Sequence, residues 1–418
     1  MLTIDAFDDH TYPASVDNVI EVEIVRAADG AAGVGHHPDG RVMFIDGALP
    51  GERVKAAITQ EHKRHLRATA LDILEPSSGR ISPVCATRDA GCGGCDFAHA
   101  DLATQHQIKA AVVRDALIRI GRLAPDVANR AVAPEVLTVD EPYRYRTTVR
   151  AAINEGRACY RRAGSHDMVI ADVCRVSHEG VEQLLQELRF RSSAGDEVVI
   201  RVSAATGDRM IVIDGDAAEV EAPDDVVIVT KAELETGRTA AITEHAAGRD
   251  WQISAGSFFQ PGPAIATLLT ETVASRVGDL EGSTLVDAYA GVGLFAGSVG
   301  ATAEAIIAIE RAGSSTRDSR VNLAELPARV VEAAVEDWEP EPADVVIADP
   351  ARAGLAKAGV SVLDRCGAET FVLVSCDTGS LGRDVGLLTA AGYTLEAVDL
   401  VDAFADTSHI EVVSTLRR

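Results

Sequence analysis

The sequence predicts a multidomain chain with a small N-terminal β-barrel, a central α+β domain and a C-terminal α/β domain built on a doubly wound parallel sheet. Three observations predict this organisation. The 418 residues exceed what one hydrophobic core usually organises. Residues 18–74 alternate short apolar and polar runs separated by turn residues. From about residue 262, apolar strands alternate with helices, and a Gly-rich turn follows the first strand.

Composition and charge describe an ordinary globular protein that is strongly acidic. Hydrophobic residues make up 47% and charged residues 25% of the chain, which argues against disorder. The 39 basic and 64 acidic residues give a net charge of −25, so any surface for nucleic acid must be a local basic patch. We recognise no signal peptide or membrane-spanning stretch and expect a cytoplasmic protein without a membrane partner.

Changes in composition place three domains at residues 1–75, 76–255 and 256–418. The Pro- and Ser-containing stretch 75–83 predicts a linker after the barrel. A cysteine-rich loop follows, and then residues 101–121 show the apolar spacing of a helix. Short strands and one amphipathic helix, residues 180–190, predict an α+β domain in the middle of the chain.

The Gly-rich turn of the C-terminal domain predicts a nucleotide-like ligand. It reads Asp287-Ala-Tyr-Ala-Gly-Val-Gly and lies between an apolar strand and a helix, where backbone N–H groups can approach a ligand. Glu310 closes the next strand, 23 residues after Asp287, where a carboxylate can accept hydrogen bonds from a ribose. Together they indicate a pocket for S-adenosylmethionine (SAM). The alternative is a turn that only lets the helix pack closely.

Three further strand ends should meet at the carboxyl edge of the same sheet, where ligands bind in such folds. They are Asp349-Pro-Ala-Arg352, Ser375-Cys376-Asp377 and His409-Ile-Glu411. A cysteine that ends an apolar strand can be exposed in a cleft as a nucleophile, and a carboxylate nearby can act as a base. Cys376 is therefore the candidate nucleophile and Glu411 the candidate base. A small core residue is the alternative for Cys376.

Four cysteines form a second candidate site. Cys85, Cys92 and Cys95 lie close together in sequence, and Cys174 follows about 80 residues later. One Cys-x2-Cys pair is weak evidence for a structural zinc, which usually has two such pairs. Four thiolates on a Gly-rich loop also suit a 4Fe-4S cluster. We expect the cluster, with zinc or metal-free thiols as alternatives.

These motifs, in this order, resemble the RNA 5-methyluridine methyltransferase family, whose SAM-dependent members methylate carbon 5 of uridine in transfer or ribosomal RNA. The first 74 residues are similar to the family's TRAM barrel, an OB-like RNA-binding module, and the C-terminal domain is similar to its Rossmann-like methyltransferase domain. The resemblance implies catalytic roles for Cys376 and Glu411, and it places Phe258 or Phe259 near the target base. It implies SAM contacts from Gln260, Tyr289, Glu310 and Asp349. It implies cluster ligands in Cys85, Cys92, Cys95 and Cys174.

RNA is the expected partner, so the acidic chain should carry a basic patch. Residues 141–165 have six Arg against two Glu, with two Tyr interleaved before the third Arg, a composition that offers phosphate contacts and base stacking. The predicted patch contains Arg144, Arg146, Arg161 and Arg162, with Lys63, Arg64 and Arg67 from the barrel. A solvated strand face is the alternative.

Other functions stay open at this level. One is an RNA-binding assembly factor or chaperone with a non-catalytic methyltransferase fold, although such a scaffold needs neither Cys376 nor Glu411. Another is an RNA cytosine carbon-5 methyltransferase, which uses the same thiol addition but commonly has Pro-Cys at the nucleophile. A radical-SAM methylthiotransferase would need Cys-x3-Cys-x2-Cys, which this sequence lacks. We expect a monomer.

Overall fold

The computed structural model describes residues 18–418, and the predicted barrel domain therefore extends, in residues 1–17, outside the described residues. The chain forms two compact units. The first unit comprises the residues up to 83 together with 96–108 and 406–408, and the second comprises 84–95, 109–405 and 409–418. No helix within 18–418 is long and apolar enough to cross a membrane.

The first unit contains a six-stranded β-barrel. Its strands are β1 (Val19–Glu23), β2 (Arg26–Ala27), β3 (Gly33–His36), β4 (Val42–Asp46), β5 (Arg53–Glu61) and β6 (His65–Glu75). Their order in the sheet is β1-β5-β6-β4-β3-β2. Because β1 and β2 belong to one continuous segment, the two ends of the sheet lie on the same piece of chain and the sheet curls on itself. Val22, Met43, Val54 and Leu66 are buried in its core.

The chain between the barrel and the C-terminal domain combines helices with short strands, as predicted. The elements are α1 (Ala86–Asp89), α2 (Leu102–Arg119), α3 (Pro125–Ala131), β7 (Val132–Leu137), β8 (Thr148–Asn154), β9 (Arg157–Arg161), β10 (Met168–Ile170), α4 (Glu179–Glu187), β11 (Arg189–Phe190), β12 (Glu197–Val202), β13 (Arg209–Ile213), β14 (Val220–Glu221), β15 (Val226–Thr230), α5 (Lys231–Glu235), β16 (Ala241–Ala246) and β17 (Arg249–Ser254). The predicted helix over 101–121 is α2. The amphipathic helix ends at Glu187, before the predicted residue 190, because the next residues pair as β11 with β14.

The central sheet has the order β10-β9-β8-β12-β13-β15. Its buried face packs against α4, whose Val181, Leu184 and Leu185 share one apolar cluster with strand residues such as Ile200 and Ile211. The three helical residues lie three and four positions apart, so they form one face of the helix. This face explains why the sequence between residues 180 and 190 shows the amphipathic pattern.

The C-terminal domain is a layered α/β fold. Its elements are α6 (Pro263–Val277), β18 (Thr284–Ala288), α7 (Leu294–Ser298), β19 (Ala305–Glu310), α8 (Gly313–Asn322), β20 (Ala328–Glu332), β21 (Val345–Ala348), α9 (Ala356–Asp364), β22 (Thr370–Ser375), α10 (Thr378–Ala390), β23 (Thr394–Val401) and β24 (Glu411–Arg417). Every residue of β21 and β22 is buried. Continuous apolar strands of this kind occur where helices cover both faces of a sheet.

The C-terminal sheet has eight strands in the order β20-β19-β18-β21-β22-β24-β23-β7. The prediction of a wholly parallel sheet is wrong in one strand, since β24 runs antiparallel to β22 and β23. The connection between β23 and β24, residues 402–410, contains no helix, and a parallel partner would have required a longer crossover. The edge strand β7 comes from the predicted central domain and pairs in parallel with β23.

Candidate active site

A cavity of about 680 Å³ opens at the carboxyl edge of the C-terminal sheet. The loops after β18, β19, β21 and β22 contribute to its walls, as expected for ligand sites in α/β sheets. A volume of this size accommodates a small organic ligand. The cavity brings together all six residues that the sequence indicated for catalysis and cofactor binding: Gln260, Tyr289, Glu310, Asp349, Cys376 and Glu411.

The Gly-rich turn after β18 fixes the carboxylate of Glu310. Gly291 and Gly293 have φ angles of 58° and 92°, a conformation that residues with a Cβ rarely adopt. The Gly291 N–H donates to Glu310 Oε2 at 3.0 Å, and the Ala312 N–H donates to Oε1 at 2.6 Å. Each carboxylate oxygen retains a lone pair, so Glu310 can still accept hydrogen bonds from a ligand hydroxyl.

Tyr289, within the same turn, lines the cavity from a strained backbone. Its φ angle is 63°, a left-handed conformation that is uncommon for a residue other than glycine. Its hydroxyl donates to Glu336 Oε1 at 2.8 Å, and Glu336 lines the same cavity. The sequence analysis did not identify Glu336, because it belongs to no motif and lies in a short 3-10 helix after β20.

Phe258, Phe259 and Gln260 of the loop 257–260 all line the cavity. The Gln260 side-chain N–H donates to Asp349 Oδ2 at 3.2 Å. Phe259 is buried in an apolar cluster, whereas Phe258 is 66% exposed. The sequence did not distinguish these two phenylalanines, and in the structure Phe258 is the one whose ring is open to a stacking partner.

Cys376 and Glu411 lie on neighbouring strands at the rim of the cavity. Cys376 directly follows β22, and Glu411 is the first residue of β24. Ser375 and Val412, the residues next to them, pair directly across the two strands. The reversed direction of β24 therefore brings the thiol and the carboxylate to the same edge of the sheet.

Burial dominates the electrostatics of this edge. Burial, together with the charges of Glu411 and Asp349, raises the pKa of the Cys376 thiol to about 12, and Arg352 opposes this shift. Burial also raises the pKa of Asp349 to about 7. Burial and the charge of Asp349 raise the pKa of Glu411 well above its usual value. Each of these groups therefore ionises less readily than usual, and a positive charge in the cavity would favour the ionised forms.

The segment after Cys376 is ordered by two aspartates. Asp377 caps α10, and its side chain accepts a hydrogen bond from the Ser380 N–H at 2.7 Å. The buried carboxylate of Asp384, also in α10, accepts from the Leu355 N–H at 2.7 Å. The loop after β21, which carries Arg352, is thereby tied to the helix that follows the candidate nucleophile.

Phe404 lines the cavity, although no motif in the sequence indicated it. The Arg146 guanidinium lies 5.6 Å from the centre of the Phe404 ring, and the Phe404 carbonyl accepts a hydrogen bond from Lys109 Nζ at 3.2 Å. Lys109 also pairs with Asp402 at 2.7 Å, and both side chains are fully buried. The partners are 293 residues apart, so only the fold brings them together. A lysine within the apolar pattern of α2 was the one available indication of a buried ion pair.

The four predicted metal-binding cysteines lie in two segments of the second unit. Cys85 precedes α1, Cys92 and Cys95 lie in the loop that follows it, and Cys174 lies between β10 and α4. All four are partly buried thiols. Burial raises the pKa of Cys92, and the neighbouring thiols of Cys174 and Cys85 contribute to the shift. At least three of the four sulfurs are thus close enough to influence one another's ionisation.

Two buried hydroxyls accompany these thiols. Burial, chiefly, and the thiols of Cys174 and Cys92 raise the pKa of Tyr160. The hydroxyls of Tyr160 and Ser177 are buried, and the hydroxyl of Tyr160 faces both Ser177 and the thiol of Cys174. Within residues 18–418, no group of three or more Cys, His, Asp or Glu side chains has the geometry to hold a metal ion.

The arginines of the predicted RNA patch have different surroundings. Arg144 pairs with Glu182 at 3.0 Å, and Arg146 packs over Phe404. Arg161 and Arg162 are exposed where β9 ends. In the first unit, Lys63, Arg64 and Arg67 are exposed on the turn between β5 and β6 and at the start of β6.

Known proteins are similar to this chain both in the first unit and over nearly its whole length. Residues 13–71 match the model of the TRAM domain family. A protein of Streptomyces avermitilis described as an uncharacterized RNA methyltransferase is 33% identical over 95% of this chain and 97% of its own length. A Streptomyces coelicolor protein with a similar description is 32% identical over 95% of this chain and 92% of its own length.

The fold also matches a solved structure. The crystal structure of Pyrococcus abyssi tRNA (uracil-54, C5)-methyltransferase in complex with S-adenosyl-L-homocysteine superposes with a TM-score of 0.71 and 20% identity, covering 94% of this chain and all of that one. The predicted fold class, a TRAM barrel followed by further domains that end in a Rossmann-like methyltransferase domain, is confirmed. The resemblance read from the sequence motifs is confirmed as well.

Charge substitutions around Cys376 should change its reactivity in opposite directions. Glu411→Gln removes a carboxyl whose ionised form disfavours the thiolate, so iodoacetamide should label Cys376 faster at a pH where Glu411 is ionised. Arg352→Gln removes the opposing positive charge and should slow labelling. In the parent protein the rate should rise about tenfold per pH unit between roughly pH 7 and 10, because the thiolate is the reactive form and the pKa lies above this range.

Peptide mass spectrometry measures this labelling at Cys376 separately from the other thiols. Glu339→Gln, which changes an exposed carboxylate paired with Arg365, serves as the control and should leave the rate unchanged. A fast rate at pH 7 that does not depend on pH would show that the thiolate is already formed.

Proposed function

The chain belongs to the RNA methyltransferase family of these relatives, and on that premise we propose that it transfers the methyl group of SAM to carbon 5 of a uridine in transfer or ribosomal RNA. The observation that carries the proposal is the cavity that brings together a strand-end thiol, a buried carboxylate and the candidate cofactor residues. A non-catalytic scaffold has no need for Cys376 and Glu411 on adjacent strands at one rim.

Methylation at this carbon needs covalent activation, because carbon 5 of uracil is a poor nucleophile. The Cys376 sulfur adds to carbon 6, and the electrons of the ring double bond then make carbon 5 nucleophilic. After methylation, the Glu411 carboxylate removes the carbon-5 proton. The bond between carbon 6 and sulfur breaks, which restores the double bond and frees Cys376. Both side chains must reach one ring, and their positions on adjacent strands suit this requirement.

The cofactor residues are those fixed by the Gly-rich turn and the loop 257–260. Glu310 would accept hydrogen bonds from the ribose hydroxyls of the cofactor, and Tyr289, in the Gly-rich turn, would line the same part of the cavity. Gln260 and Asp349 form a hydrogen-bonded pair that lines the same cavity as Cys376. Bound SAM supplies an electrophilic methyl group and a sulfonium charge, and this charge favours the Cys376 thiolate.

RNA binding falls to the TRAM barrel and to the exposed arginines of the central region. A uridine in folded RNA must leave its stack to reach Cys376, and such bases are commonly stacked on aromatic side chains. Phe258 takes this role in the proposal because its ring is exposed at the cavity. Monomeric state, cytoplasmic location and the three-domain division stay predictions.

The cysteines hold a 4Fe-4S cluster in this proposal, with Cys85, Cys92, Cys95 and Cys174 as ligands. What supports it is the donor set, because the thiols of Cys174 and Cys85 act on the pKa of Cys92 and four thiolates are the ligands of such a cluster. The hydroxyl of Tyr160, buried beside Cys174 and Cys92, suits a donor to a cluster sulfur. The cluster would crosslink residues 85–95 to the segment around Cys174.

Cys376→Ala should abolish methyl transfer to RNA and leave SAM affinity within about twofold, because the thiol adds to the base and does not hold the cofactor. RNA that contains 5-fluorouridine should form a denaturant-stable adduct with the parent protein and none with this variant, since fluorine blocks proton removal. Gel shift and calorimetric SAM binding measure the two properties.

Glu411→Gln is the matched variant, because it keeps the nucleophile and removes the base. It should accumulate a covalent complex with ordinary uridine RNA. Equal loss of SAM binding and activity in Cys376→Ala would contradict the assigned role of the thiol.

Protein purified without oxygen should be brown and absorb near about 400 nm, as thiolate-held iron–sulfur clusters do. Cys92→Ser should remove this absorbance, whereas Cys366→Ala, which changes a core cysteine, should retain it. Metal analysis that finds about one zinc and no iron per chain would refute the cluster.

Replacing Arg161 and Arg162 together with Gln should weaken RNA binding. The slope of log affinity against log salt should flatten by roughly 0.7 to 0.9 for each phosphate that the variant no longer neutralises. Arg329→Gln is the control, because Arg329 lies in β20, an edge strand of the C-terminal sheet, and pairs there with Glu341. A parental affinity and salt slope in the double variant would show that these arginines are only a solvated face.

A further inference from the structure

Two buried charged side chains hold the base of the loop that carries Phe258. Arg201, in β12, donates from Nη1 to the Ser254 carbonyl at 2.8 Å and from Nη2 to the Ser257 carbonyl at 2.6 Å. Its Nε donates to Thr148 Oγ1 at 3.2 Å. One guanidinium therefore spans the turn 254–257 and fixes both of its ends.

Asp318, in α8, holds the same turn from the other side and is completely buried. Its Oδ2 accepts from the Ser254 N–H at 2.8 Å and from the Ser257 hydroxyl at 2.6 Å. Its Oδ1 accepts from the Ser254 hydroxyl at 2.6 Å and from the Gln252 side chain at 3.0 Å. Ser257 is thus held at its carbonyl by Arg201 and at its hydroxyl by Asp318.

Two charged side chains are costly to bury, and their mutual attraction is weak evidence for stability. Burial lowers the pKa of Arg201 to about 10, and Asp318 opposes the shift, so the guanidinium stays charged at neutral pH. What the two charges add over apolar packing is direction, because each accepts or donates at fixed angles. The residue after this fixed turn is Phe258, whose ring is exposed at the cavity.

The far end of the loop is fastened independently. The Thr147 N–H donates to the Pro261 carbonyl at 2.8 Å, and Gln260 donates to Asp349. A Cβ at Gly262 would lie 2.0 Å from the Tyr145 carbonyl oxygen, so the backbones touch there. Gln260 consequently does not depend on Arg201 and Asp318 for its position, whereas Phe258 directly follows the turn that they hold.

We propose that Arg201 and Asp318 form a charged clamp that positions Phe258 for stacking on the target base. The inference rests on the proposed methylation of uridine and adds two positioning residues from outside the cavity. The clamp affects the rate at which the target base is captured and does not affect the affinity for SAM. It also connects β12 of the central sheet to the site, so that the central sheet contributes to base capture.

Single-turnover formation of the 5-fluorouridine RNA adduct tests the clamp. Arg201→Lys keeps the charge but replaces the guanidinium, which donates to two carbonyls at once, with a single ammonium group. It should slow adduct formation on the order of 10- to 100-fold, the loss expected for a misplacement of about 1 Å. Ser257→Ala removes one hydrogen bond to Asp318 and should slow it roughly three- to tenfold. SAM affinity should stay within about twofold in both.

A double-mutant cycle with Phe258→Leu separates positioning from general stability. In the Phe258→Leu background, Arg201→Lys should have little further effect, because the ring on which the clamp acts is already gone. Arg209→Gln is the control on the neighbouring strand, where Arg209 pairs with Asp225 at the surface, and it should leave the rate unchanged.

Each outcome decides between the two proposals. If the parent protein forms no adduct, the proposed function fails. If the parent reacts but both clamp variants react at its rate, the clamp fails alone. Equal rate losses from Arg201→Lys in the parent and in the Phe258→Leu variant, or a matching loss of SAM affinity, would show a merely structural pair and overturn the inference.

Discussion

The antiparallel pairing of β24 between β22 and β23 is the constraint on which the site depends. In a wholly parallel sheet, the first residue of a strand lies at the edge opposite the ligand sites. Because β24 is reversed, its first residue, Glu411, emerges where β22 ends and Cys376 begins the next loop. The direction of this strand therefore brings the Glu411 carboxylate to the edge of the sheet that carries the Cys376 thiol.

That edge confines acidic groups in a buried space. Glu411 and Asp349 raise the pKa of Cys376, Asp349 raises the pKa of Glu411, and Arg352 opposes both shifts. A positive charge in the cavity would favour the ionised forms of these groups. Under the proposed function, the sulfonium group of the methyl donor supplies that charge.

Local sequence motifs predicted most of the site because each motif combines a strand end with the residue that acts there. Asp287, Glu310, Asp349 and Cys376 lie in or directly after the carboxyl ends of apolar strands, so their edge was predictable. The direction of β24 was not, because an apolar run does not specify its pairing partner. The ion pair between Lys109 and Asp402 and the clamp from Arg201 to Asp318 join distant segments, and local patterns carry no information on such contacts. The difference between Phe258 and Phe259 likewise follows from tertiary packing.

The most direct test of the account uses RNA labelled with tritium at carbon 5 of uridine. Methylation at that carbon must expel one tritium for every methyl group that is added, whereas methylation of nitrogen, oxygen or another base expels none. The purified protein, with SAM and RNA from its own source, should release tritium to water in a one-to-one ratio with methyl incorporation. Methyl incorporation with full retention of tritium would contradict the account.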